Sequence, residues 1–541
     1  METCWRTLWT QPWRRTGALA GRKEGNMQDN SRKYIKAMLG LFCAMFLILC
    51  VYLVYIVGVY GNRWFTSPYN TRVQAQKNSV QAGRIADRNG QLLAYTDGEG
   101  QRRYASEKAR RRAVCHVVGD SYGQTLGAES MFAKYLLGFD QDMADLFAET
   151  FGSATRTGSS VMLTIDGELC DYAYDLMDDY WGAVVLMNYK TGEVLCSVSQ
   201  PTFDPNYMQE YIDGERELAA SAMVNRVTMG KYTPGSTFKT VTLIAALRYI
   251  PGVTERTFDC DGALVFDRET GKYLPDVAVD DAEFVQADQE TDYDREQEGV
   301  QDTGAEPATV EKYSIVRDSN SSYHGEISLF EAYAHSCNTT FARLAMEVGA
   351  DKMAQTAKEL GIGDEFLFED MLLYSSSYEK PDTDLNLAWS GVGQYKDIMT
   401  PMQMCMLTAA VANDGVMMQP RLLYKVVTRN DYVRSTPGNK VYKTILSEAE
   451  AEIVQQAMLG TVEYGTGTQA DVDGCTVGGK TGSAEISSDK SVKTHAWFTG
   501  FIQDEDHPLA VCVILEQAGG GGSMAAPLAG KLLAKAVELG Y

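Results

Sequence analysis

One uncharged run near the N-terminus constrains this chain more than any other feature. It covers residues 37–59 and reads A-M-L-G-L-F-C-A-M-F-L-I-L-C-V-Y-L-V-Y-I-V-G-V. A helix of these 23 residues can cross the ~30 Å hydrocarbon core of a bilayer, so we predict a transmembrane helix. The run is long for a signal peptide and no A-x-A cleavage site follows it, which favours a retained anchor over a cleaved signal.

The charges around this run predict its orientation. Residues 1–36 hold eight Lys/Arg and three Asp/Glu, a net charge of +5, and a start at Met27 would keep part of this basic lead. The positive flank predicts a cytoplasmic N-terminus and places the chain after residue 60 outside the membrane. Since the whole chain carries −23, the remainder carries −28, which argues against a nucleic-acid partner.

The cysteines indicate no metal site. Eleven are present, eight of them beyond the apolar run, without a C-x-x-C pair or a zinc-type spacing of Cys and His. Several lie in apolar stretches, such as Cys196 in V-L-C-S-V and Cys512 in A-V-C-V-I-L. We therefore favour buried free thiols over disulfides, and we predict neither a metal nor a cofactor.

Composition and pattern divide the chain into four parts. These are a cytoplasmic segment at 1–36, the transmembrane helix at 37–59, a turn-rich stem at 60–157 and a mixed α/β domain at 158–541. Strand-like apolar runs stand near both ends of the last part, with helical patterns at 236–249 and 328–349 between them. This order predicts a sheet that joins the early and late strands of the domain.

An acidic segment interrupts this domain at 276–311. It holds thirteen Asp/Glu and a single basic residue, Arg295. Self-repulsion with few apolar anchors predicts a mobile, solvated loop, which we interpret as a surface insertion without chemistry of its own.

The spacing Ser-x-x-Lys occurs three times, although about two matches are expected by chance in a chain of this length. The three pairs are Ser236/Lys239, Ser377/Lys380 and Ser487/Lys490. The second and third pairs lie in polar stretches, whereas the first follows Pro-Gly and opens an apolar helix. The first pair is therefore the candidate for chemistry.

Ser236 and Lys239 have the properties of a nucleophile and its base. Helical spacing points them the same way, and serine is a poor nucleophile unless a base takes its proton. A lysine partly buried at the positive end of a helix has its neutral form favoured. Free N–H groups at that helix end would face the oxygen that becomes negative during attack on a carbonyl. A serine cap with a snorkelling lysine explains this stretch alone equally well.

Two further motifs decide between these interpretations. The stretch A-H-S-C-N-T-T-F contains Ser336-x-Asn338, and G-G-K-T-G-S-A-E contains Lys-Thr-Gly at 480–482. Another Lys-Thr-Gly at 190–192 joins two apolar runs, so we interpret that copy as a hairpin turn. The later copy leads into an extended A-E-I, where the small Gly482 would let a substrate backbone lie against a strand.

With Ser-x-x-Lys, Ser-x-Asn and Lys-Thr-Gly in this order, the chain resembles penicillin-binding proteins and serine β-lactamases. The stretches A-G-R-I-A-D-R-N-G, L-T-I-D, F-D-P-N, S-C-N-T-T-F-A-R-L-A, G-V-G-Q, A-N-D-G and A-W-F-T-G-F extend the resemblance from the anchor to the C-terminus. They are typical of class B penicillin-binding proteins, and the short stem resembles the type called penicillin-binding protein A. The resemblance implies an α/β transpeptidase fold, in which an antiparallel sheet has helices on both faces beside a mostly helical subdomain, with a small β-rich stem. It also implies a D,D-transpeptidase that cross-links peptidoglycan stem peptides and is acylated by β-lactams.

The resemblance implies four catalytic residues. Ser236 would be the nucleophile that forms the acyl-enzyme, and Lys239 would be its base. Ser336 would relay the proton to the leaving D-Ala amine, while Lys480 would polarise Ser336 and attract the terminal carboxylate of the substrate.

Four further residues would bind substrate by the same resemblance. Asn338 would hold the substrate amide, and Thr481 and Ser483 would hydrogen-bond its carboxylate beside Gly482. The backbone N–H groups of Ser236 and Ser483 would form the oxyanion hole. Ser483 stands where threonine is more usual but keeps the hydroxyl, and the acidic segment has no counterpart in the family pattern.

The implied partners are stem peptides ending in D-Ala-D-Ala, β-lactams, the cell membrane and a polytopic glycosyltransferase of the wall-synthesis machinery. A serine β-lactamase or penicillin sensor would share the three motifs, and Asp382-x-x-Leu385-Asn386 weakly resembles the lactamase pattern E-x-x-L-N. The anchor, stem and size argue against a lactamase. A D,D-carboxypeptidase and a non-catalytic scaffold remain further alternatives.

Overall fold

The computed structural model of this chain describes residues 24–65, 80–139, 157–277, 313–319, 323–428, 431–487, 489 and 491–541. The chain divides into two compact units, Met1–Asn62 and Arg63–Tyr541. Nearly all of the predicted acidic loop at 276–311 lies outside the described residues.

The described residues of the first unit lie in one helix, Glu24–Phe65, which runs past the end of that unit at Asn62. Its segment Arg32–Gly58 has a mean hydropathy of 2.7 and none of its side chains is buried by protein. Among the described residues it is the one helix long and apolar enough to cross a membrane, and it overlaps the predicted span at 37–59. The helix therefore fits a single-pass membrane anchor.

A five-stranded antiparallel sheet, here called the central sheet, organises the second unit. Its strands, in spatial order, are Val477–Ala484, His495–Ile502, Leu509–Leu515, Gly182–Asn188 and Val194–Gln200. Strands from both ends of the domain thus pair directly, which confirms the prediction from the sequence. The strand with the second Lys-Thr-Gly is an edge strand, so one side of its backbone pairs with no other strand of the sheet.

Helices cover both faces of the central sheet. The alternation along Gly182–Asn188 shows this, because Ala183, Val185 and Met187 join one hydrophobic core and Val184 and Leu186 join the other. The first core includes helices Lys239–Tyr249 and Pro401–Ala412, and the second includes Gly167–Met177 and Ala526–Glu538. This is the layered fold that the family resemblance implied.

A second sheet combines the predicted stem with later parts of the chain. Its order is Val433–Ser435, Leu423–Val427, Ser160–Leu163, Ile85–Ala86, Leu92–Thr96 and Arg102–Tyr104. Only the pair Ile85–Ala86 and Ser160–Leu163 is parallel. Asn89-Gly90 forms a turn before the strand Leu92–Thr96, with Gly90 at a φ of +84° and its N–H donating to Asp87 O at 3.1 Å. Since this sheet takes strands from both sides of residue 158, the division between stem and transpeptidase domain stays a prediction.

The remaining elements surround these two sheets. Three two-stranded pairs are Thr257–Cys260 with Gly325–Ser328, Ala263–Asp267 with Tyr313–Arg317, and Val416–Met418 with Val441–Thr444. Further α-helices are Lys108–Ala113, Cys115–Val118, Ala128–Met131, Ala133–Leu136, Met208–Ile212, Arg226–Met229, Leu329–Ala334, Asn338–Val348, Ala350–Glu359, Asp384–Gly391 and Glu448–Glu463. Short 3₁₀ turns are Pro205–Tyr207, Gly235–Phe238, Val253–Glu255 and Thr468–Ala470, and Gly521–Ala525 is a π-helix.

The helical pattern at 328–349 forms two helices rather than one. Leu329–Ala334 and Asn338–Val348 are separated by a turn in which Ser336 has a φ of +59°. A non-glycine residue in this left-handed region costs about 1–3 kcal/mol and persists only where its surroundings hold it. The break coincides with Ser336-x-Asn338.

Candidate active site

The candidate nucleophile lies on a short turn against the central sheet. Ser236 belongs to the 3₁₀ turn Gly235–Phe238, and the α-helix begins at Lys239. Residues three apart eclipse each other in a 3₁₀ turn, so Ser236 and Lys239 share one side. Gly235 has a φ of +54°, and a Cβ there would stand 3.0 Å from the carbonyl oxygen of Ser483. The glycine thus lets the turn approach the edge strand, and Ser236 stays partly exposed.

Lys239 joins this turn to the Ser336-x-Asn338 motif. Its Nζ donates to Ser336 O at 2.5 Å, Asn338 Oδ1 at 2.6 Å and Ser336 Oγ at 3.2 Å. These acceptors use all three N–H donors of the ammonium group, and among the described residues none of its bonds goes to Ser236. Burial lowers the pKa of Lys239 to about 8, against the attraction of negative groups that include Asp318.

Buried groups hold Ser336 and Asn338 in position. The Ser336 N–H donates to Tyr333 O at 3.1 Å, and Asn338 Nδ2 donates to Arg317 O at 2.7 Å. The backbone N–H of Asn338 donates to a carboxylate oxygen of Asp318, which is itself buried. This network fixes the turn and leaves Asn338 Oδ1 aimed at Lys239.

The second Lys-Thr-Gly brings another buried lysine to the site. Lys480 is fully buried, and its Nζ donates to Thr481 O at 3.2 Å and lies 5.4 Å from the centre of the Tyr333 ring. Burial and the nearby charge of Lys239 hold the pKa of Lys480 well below its ordinary value. The three motifs therefore meet around two buried amines.

Gly482 lies where the edge strand packs against the nucleophile turn. A Cβ there would stand 3.0 Å from Pro234 O and 3.0 Å from Thr237 Cγ2, so this glycine lets the edge strand approach the nucleophile turn. Ser483 is exposed, and its Oγ accepts from the Gly521 N–H at 3.2 Å.

Two hydrogen bonds hold neighbouring groups of the edge strand. Ser483 O accepts from Gln394 Nε2 at 3.1 Å. Thr481 and Thr466 join their hydroxyls at 2.6 Å. Both bonds steady the strand along the rim where the substrate carboxylate was expected.

The other copies of the motifs lie in different environments. Lys380 is an exposed partner of Asp351 at 2.6 Å, and the backbone of Ser377 pairs with Ile398. Lys490 lies outside the described residues. The Lys-Thr-Gly at 190–192 forms the turn between Gly182–Asn188 and Val194–Gln200, as predicted.

Two residues of the site were missed from the sequence. Tyr333 places its ring beside Lys480 and its hydroxyl 2.7 Å from Thr240 Oγ1 on the nucleophile helix. Asp318 holds the backbone of Asn338. Tyr333 could have been suspected from the sequence, because it lies three residues before Ser336. No sequence pattern around Asp318 indicates that it contacts the site.

Comparison with known proteins identifies the family of this chain. The sequence model of the penicillin-binding protein transpeptidase domain matches residues 182–273 and 293–534. The chain is 28% identical over 498 residues to the peptidoglycan D,D-transpeptidase PbpA of Mycolicibacterium smegmatis, covering 87% of this chain and 92% of that protein. PbpA of Mycobacterium tuberculosis is 25% identical over 496 residues, with the same coverage.

Solved structures show the same fold. The D,D-transpeptidase domain of a peptidoglycan glycosyltransferase from Eggerthella lenta has a TM-score of 0.66 and 26% identity, covering 85% of this chain and 99% of that one. PBPA from M. tuberculosis has a TM-score of 0.70 and 24% identity, covering 85% and 100%. The chain belongs to the penicillin-binding protein transpeptidase family.

Proposed function

We propose that this chain is a membrane-anchored peptidoglycan D,D-transpeptidase that works through an acyl-enzyme on Ser236 and is acylated by β-lactams. The observation that carries the proposal is the bonding of Lys239 to both Ser336 and Asn338, with Ser236 on the same side of the helix end. The activity agrees with the name of its PbpA relatives.

Acylation begins with neutral Lys239. The neutral amine keeps two N–H donors, enough for Ser336 O and Asn338 Oδ1, and its lone pair takes the proton of the Ser236 hydroxyl. Ser236 Oγ then attacks the carbonyl carbon of the penultimate D-Ala. The N–H groups of Ser236 and Ser483 stabilise the resulting oxyanion. The backbone of Ser483 packs so closely against Gly235 that a Cβ there would stand 3.0 Å from Ser483 O, which supports the proposal that both N–H groups serve one oxyanion hole.

Collapse of the tetrahedral intermediate needs a proton on the leaving amine. Ser336 Oγ lies 3.2 Å from Lys239 Nζ and passes the proton from that lysine to the terminal D-Ala. The negative terminal carboxylate of the bound substrate would favour the protonated form of Lys480 against the effect of burial, and protonated Lys480 would favour this transfer and hold that carboxylate. The acceptor amine of a second stem peptide then attacks the acyl-enzyme, and the same groups run in reverse.

Substrate would bind along the edge strand Val477–Ala484. An edge strand offers unpaired backbone groups to an extended peptide, which is the usual mode of strand addition. Thr481 and Ser483 supply hydroxyls for the carboxylate, Asn338 supplies its amide, and Gly482 keeps the strand close to the nucleophile turn.

The structure gives the lactamase alternative little support. A lactamase needs a base that activates water against the acyl-enzyme, and Asp382 was the candidate for it. Its carboxylate is exposed and accepts from Asn386 Nδ2 at 2.8 Å, and among the described residues it bonds to neither Ser236 nor Lys239. Release of the acyl group to water is therefore expected to be slow.

We place the N-terminus in the cytoplasm and the catalytic part outside, because basic residues precede the apolar helix Arg32–Gly58. A polytopic glycosyltransferase of the wall-synthesis machinery remains the proposed partner in the membrane.

Labelling with a fluorescent penicillin tests the proposal. Full-length protein in detergent should become covalently labelled, and the label should persist over a time course of hours. The variant Ser236→Ala should take up none, with Ser377→Ala as the matched control that labels normally. Labelling of Ser236→Ala would contradict the assignment, and rapid loss of label from the wild type would favour the lactamase.

A further inference from the structure

We propose that the chain binds one zinc ion beside the active site, through Cys260, Asp318, His324 and Cys337. This inference is independent of the proposed activity. It also contradicts the expectation from cysteine spacing that the chain holds no metal site.

The four candidate ligand atoms converge on one point. Sγ of Cys260 lies 3.0 Å from Asp318 Oδ2 and 3.2 Å from His324 Nδ1. Asp318 Oδ2 lies 3.5 Å from Cys337 Sγ and 3.6 Å from His324 Nδ1. All four atoms lie within 4.8 Å of one another. Bonds of about 2.0–2.3 Å to a tetrahedral zinc ion would separate its ligands by about 3.3–3.8 Å, so small shifts suffice.

The donor set favours zinc over other ions. Thiolate, imidazole and carboxylate are all zinc ligands, and two thiolates with one of each other kind complete the four positions of a tetrahedral zinc ion. Magnesium and calcium prefer six or more oxygen ligands, which this cluster does not offer. A disulfide between the two thiols would leave the converging carboxylate and imidazole without a role.

Surrounding groups orient the ligands. The second oxygen of Asp318 accepts from the backbone N–H groups of Asn338 and Thr339, which turns Oδ2 toward the cluster. Cys337 caps the helix Asn338–Val348, and the Thr340 N–H donates to its sulfur at 3.4 Å. Outer contacts of this kind fix the direction of metal ligands.

Charge and access are compatible with binding. Zinc would displace the protons of the two thiols, so two positive charges arrive and two protons leave, and the net charge beside Lys239 stays unchanged. Cys260 and Cys337 are fully buried, whereas the His324 side chain remains 17% exposed and marks the route by which an ion enters.

The site would stabilise the turn that carries two proposed functional residues. Cys337 lies between Ser336 and Asn338, and Ser336 is held in the left-handed region. An ion bonded to Cys337 ties this turn to the strand that ends at Cys260 and to the segment that follows Tyr313–Arg317.

Metal analysis of the full-length protein tests the proposal. Protein expressed in zinc-containing medium and purified in detergent without chelator or metal-affinity steps should contain about one zinc per chain. Cys260→Ser/Cys337→Ser should lose the zinc. Cys170→Ser/Cys196→Ser is the matched control, because these two buried thiols also contact each other, and it should keep the metal.

Two further measurements test the proposal even if the variant Cys260→Ser/Cys337→Ser does not fold. His324→Ala changes a partly exposed ligand, and competition with a chelator should show zinc binding weakened at least about tenfold, since even outer partners of metal ligands cost ~10–100-fold. Cobalt added to metal-free wild type should give the charge-transfer absorption of thiolate-bound cobalt. Folded, penicillin-reactive wild type without zinc, a Cys260–Cys337 disulfide, or full zinc content in the folded double variant would overturn the proposal.

Discussion

The tripeptide Lys-Thr-Gly occurs twice in the central sheet, and the two copies have opposite environments. At 190–192 it forms the turn of a hairpin, where the Lys190 side chain is 44% exposed and its Nζ lies 3.8 Å from Asp414 Oδ2. At 480–482 it lies within an edge strand, where Lys480 is fully buried against the ring of Tyr333.

The difference shows that position in the sheet, rather than the tripeptide, makes the lysine useful. Thr191 and Lys190 donate their backbone N–H groups to Asn188 Oδ1, which is ordinary turn chemistry. Lys480 has lost its water and stands near a second amine, Lys239, so the pKa of Lys480 is pushed well below its ordinary value. We therefore propose a role in acylation for Lys480 and not for Lys190.

The largest expected effect separates the two lysines directly. Lys480→Met should slow β-lactam acylation by about 10²–10³-fold, because the proposed work of this amine, holding the carboxylate and assisting proton transfer, contributes on that scale. Lys190→Met should stay within about twofold of the wild type. The measurement is the second-order rate of labelling by fluorescent penicillin, with melting temperatures to show that both variants fold. Equal losses of acylation rate in the two variants would contradict the proposed difference between Lys480 and Lys190.

The acylation rate should depend on pH through Lys239 and not through Lys190, because the proposed mechanism requires Lys239 to be neutral. Burial lowers the pKa of Lys239 to about 8, so the active base form is lost as the pH falls below that value. Acylation should rise about tenfold per pH unit below 8 and level off above it. Lys190→Met should leave the profile unchanged. A rate that is flat between pH 6 and 9 would contradict the role of Lys239.

Substitution of Gly192 should mainly lower stability, whereas substitution of Gly482 should mainly slow acylation. Gly192 has a φ of +77°, and a Cβ there would stand 2.2 Å from Gln419 O. Gly192→Ala should cost about 1–2 kcal/mol for the φ angle and about 1–3 kcal/mol for the overlap, while the folded protein keeps its acylation rate. Gly482→Ala meets contacts of 3.0 Å at the nucleophile turn and should slow acylation about tenfold with a smaller loss of stability. Thermal melts and labelling rates check both, and a reversed pattern would be inconsistent with this account.

Substitutions of the residue after each Lys-Thr-Gly, Ser483 and Glu193, should have the smallest effect on acylation. Ser483→Thr keeps the hydroxyl and should change acylation by less than about threefold, whereas Ser483→Ala should cost about tenfold. The matching residue of the first copy, Glu193, pairs with Arg421 at 2.7 Å, and Glu193→Gln should leave acylation unchanged. The same labelling assay decides, and a normal rate in Ser483→Ala would remove Ser483 from the site.

Much of this architecture could be predicted because it depends on local pattern. The apolar run at 37–59, the hairpin at 190–192 and the pairing of early with late strands follow from composition, turn chemistry and alternation. The family and its fold are confirmed by the comparisons. The roles of the individual site residues remain predictions.

The rest depends on tertiary contacts that no local pattern encodes. The helical pattern at 328–349 breaks at Ser336, which adopts a left-handed conformation, and the distant Asp318 holds the backbone of Asn338 just after the break. Tyr333 contacts Lys480 from a different element. In the proposed zinc site, Cys260 lies 64 residues before His324 and Cys337 lies 13 residues after it, so the spacing resembles no metal motif.

The central claim is that Ser236, and no other serine of a Ser-x-x-Lys pair, forms the acyl-enzyme. Digestion of the penicillin-treated protein followed by mass spectrometry locates the adduct directly. The account predicts a single adduct on the peptide that contains Ser236, formed at the rate of labelling. An adduct on Ser377, Ser487 or Ser336 instead, or no covalent adduct on the folded protein, would contradict it.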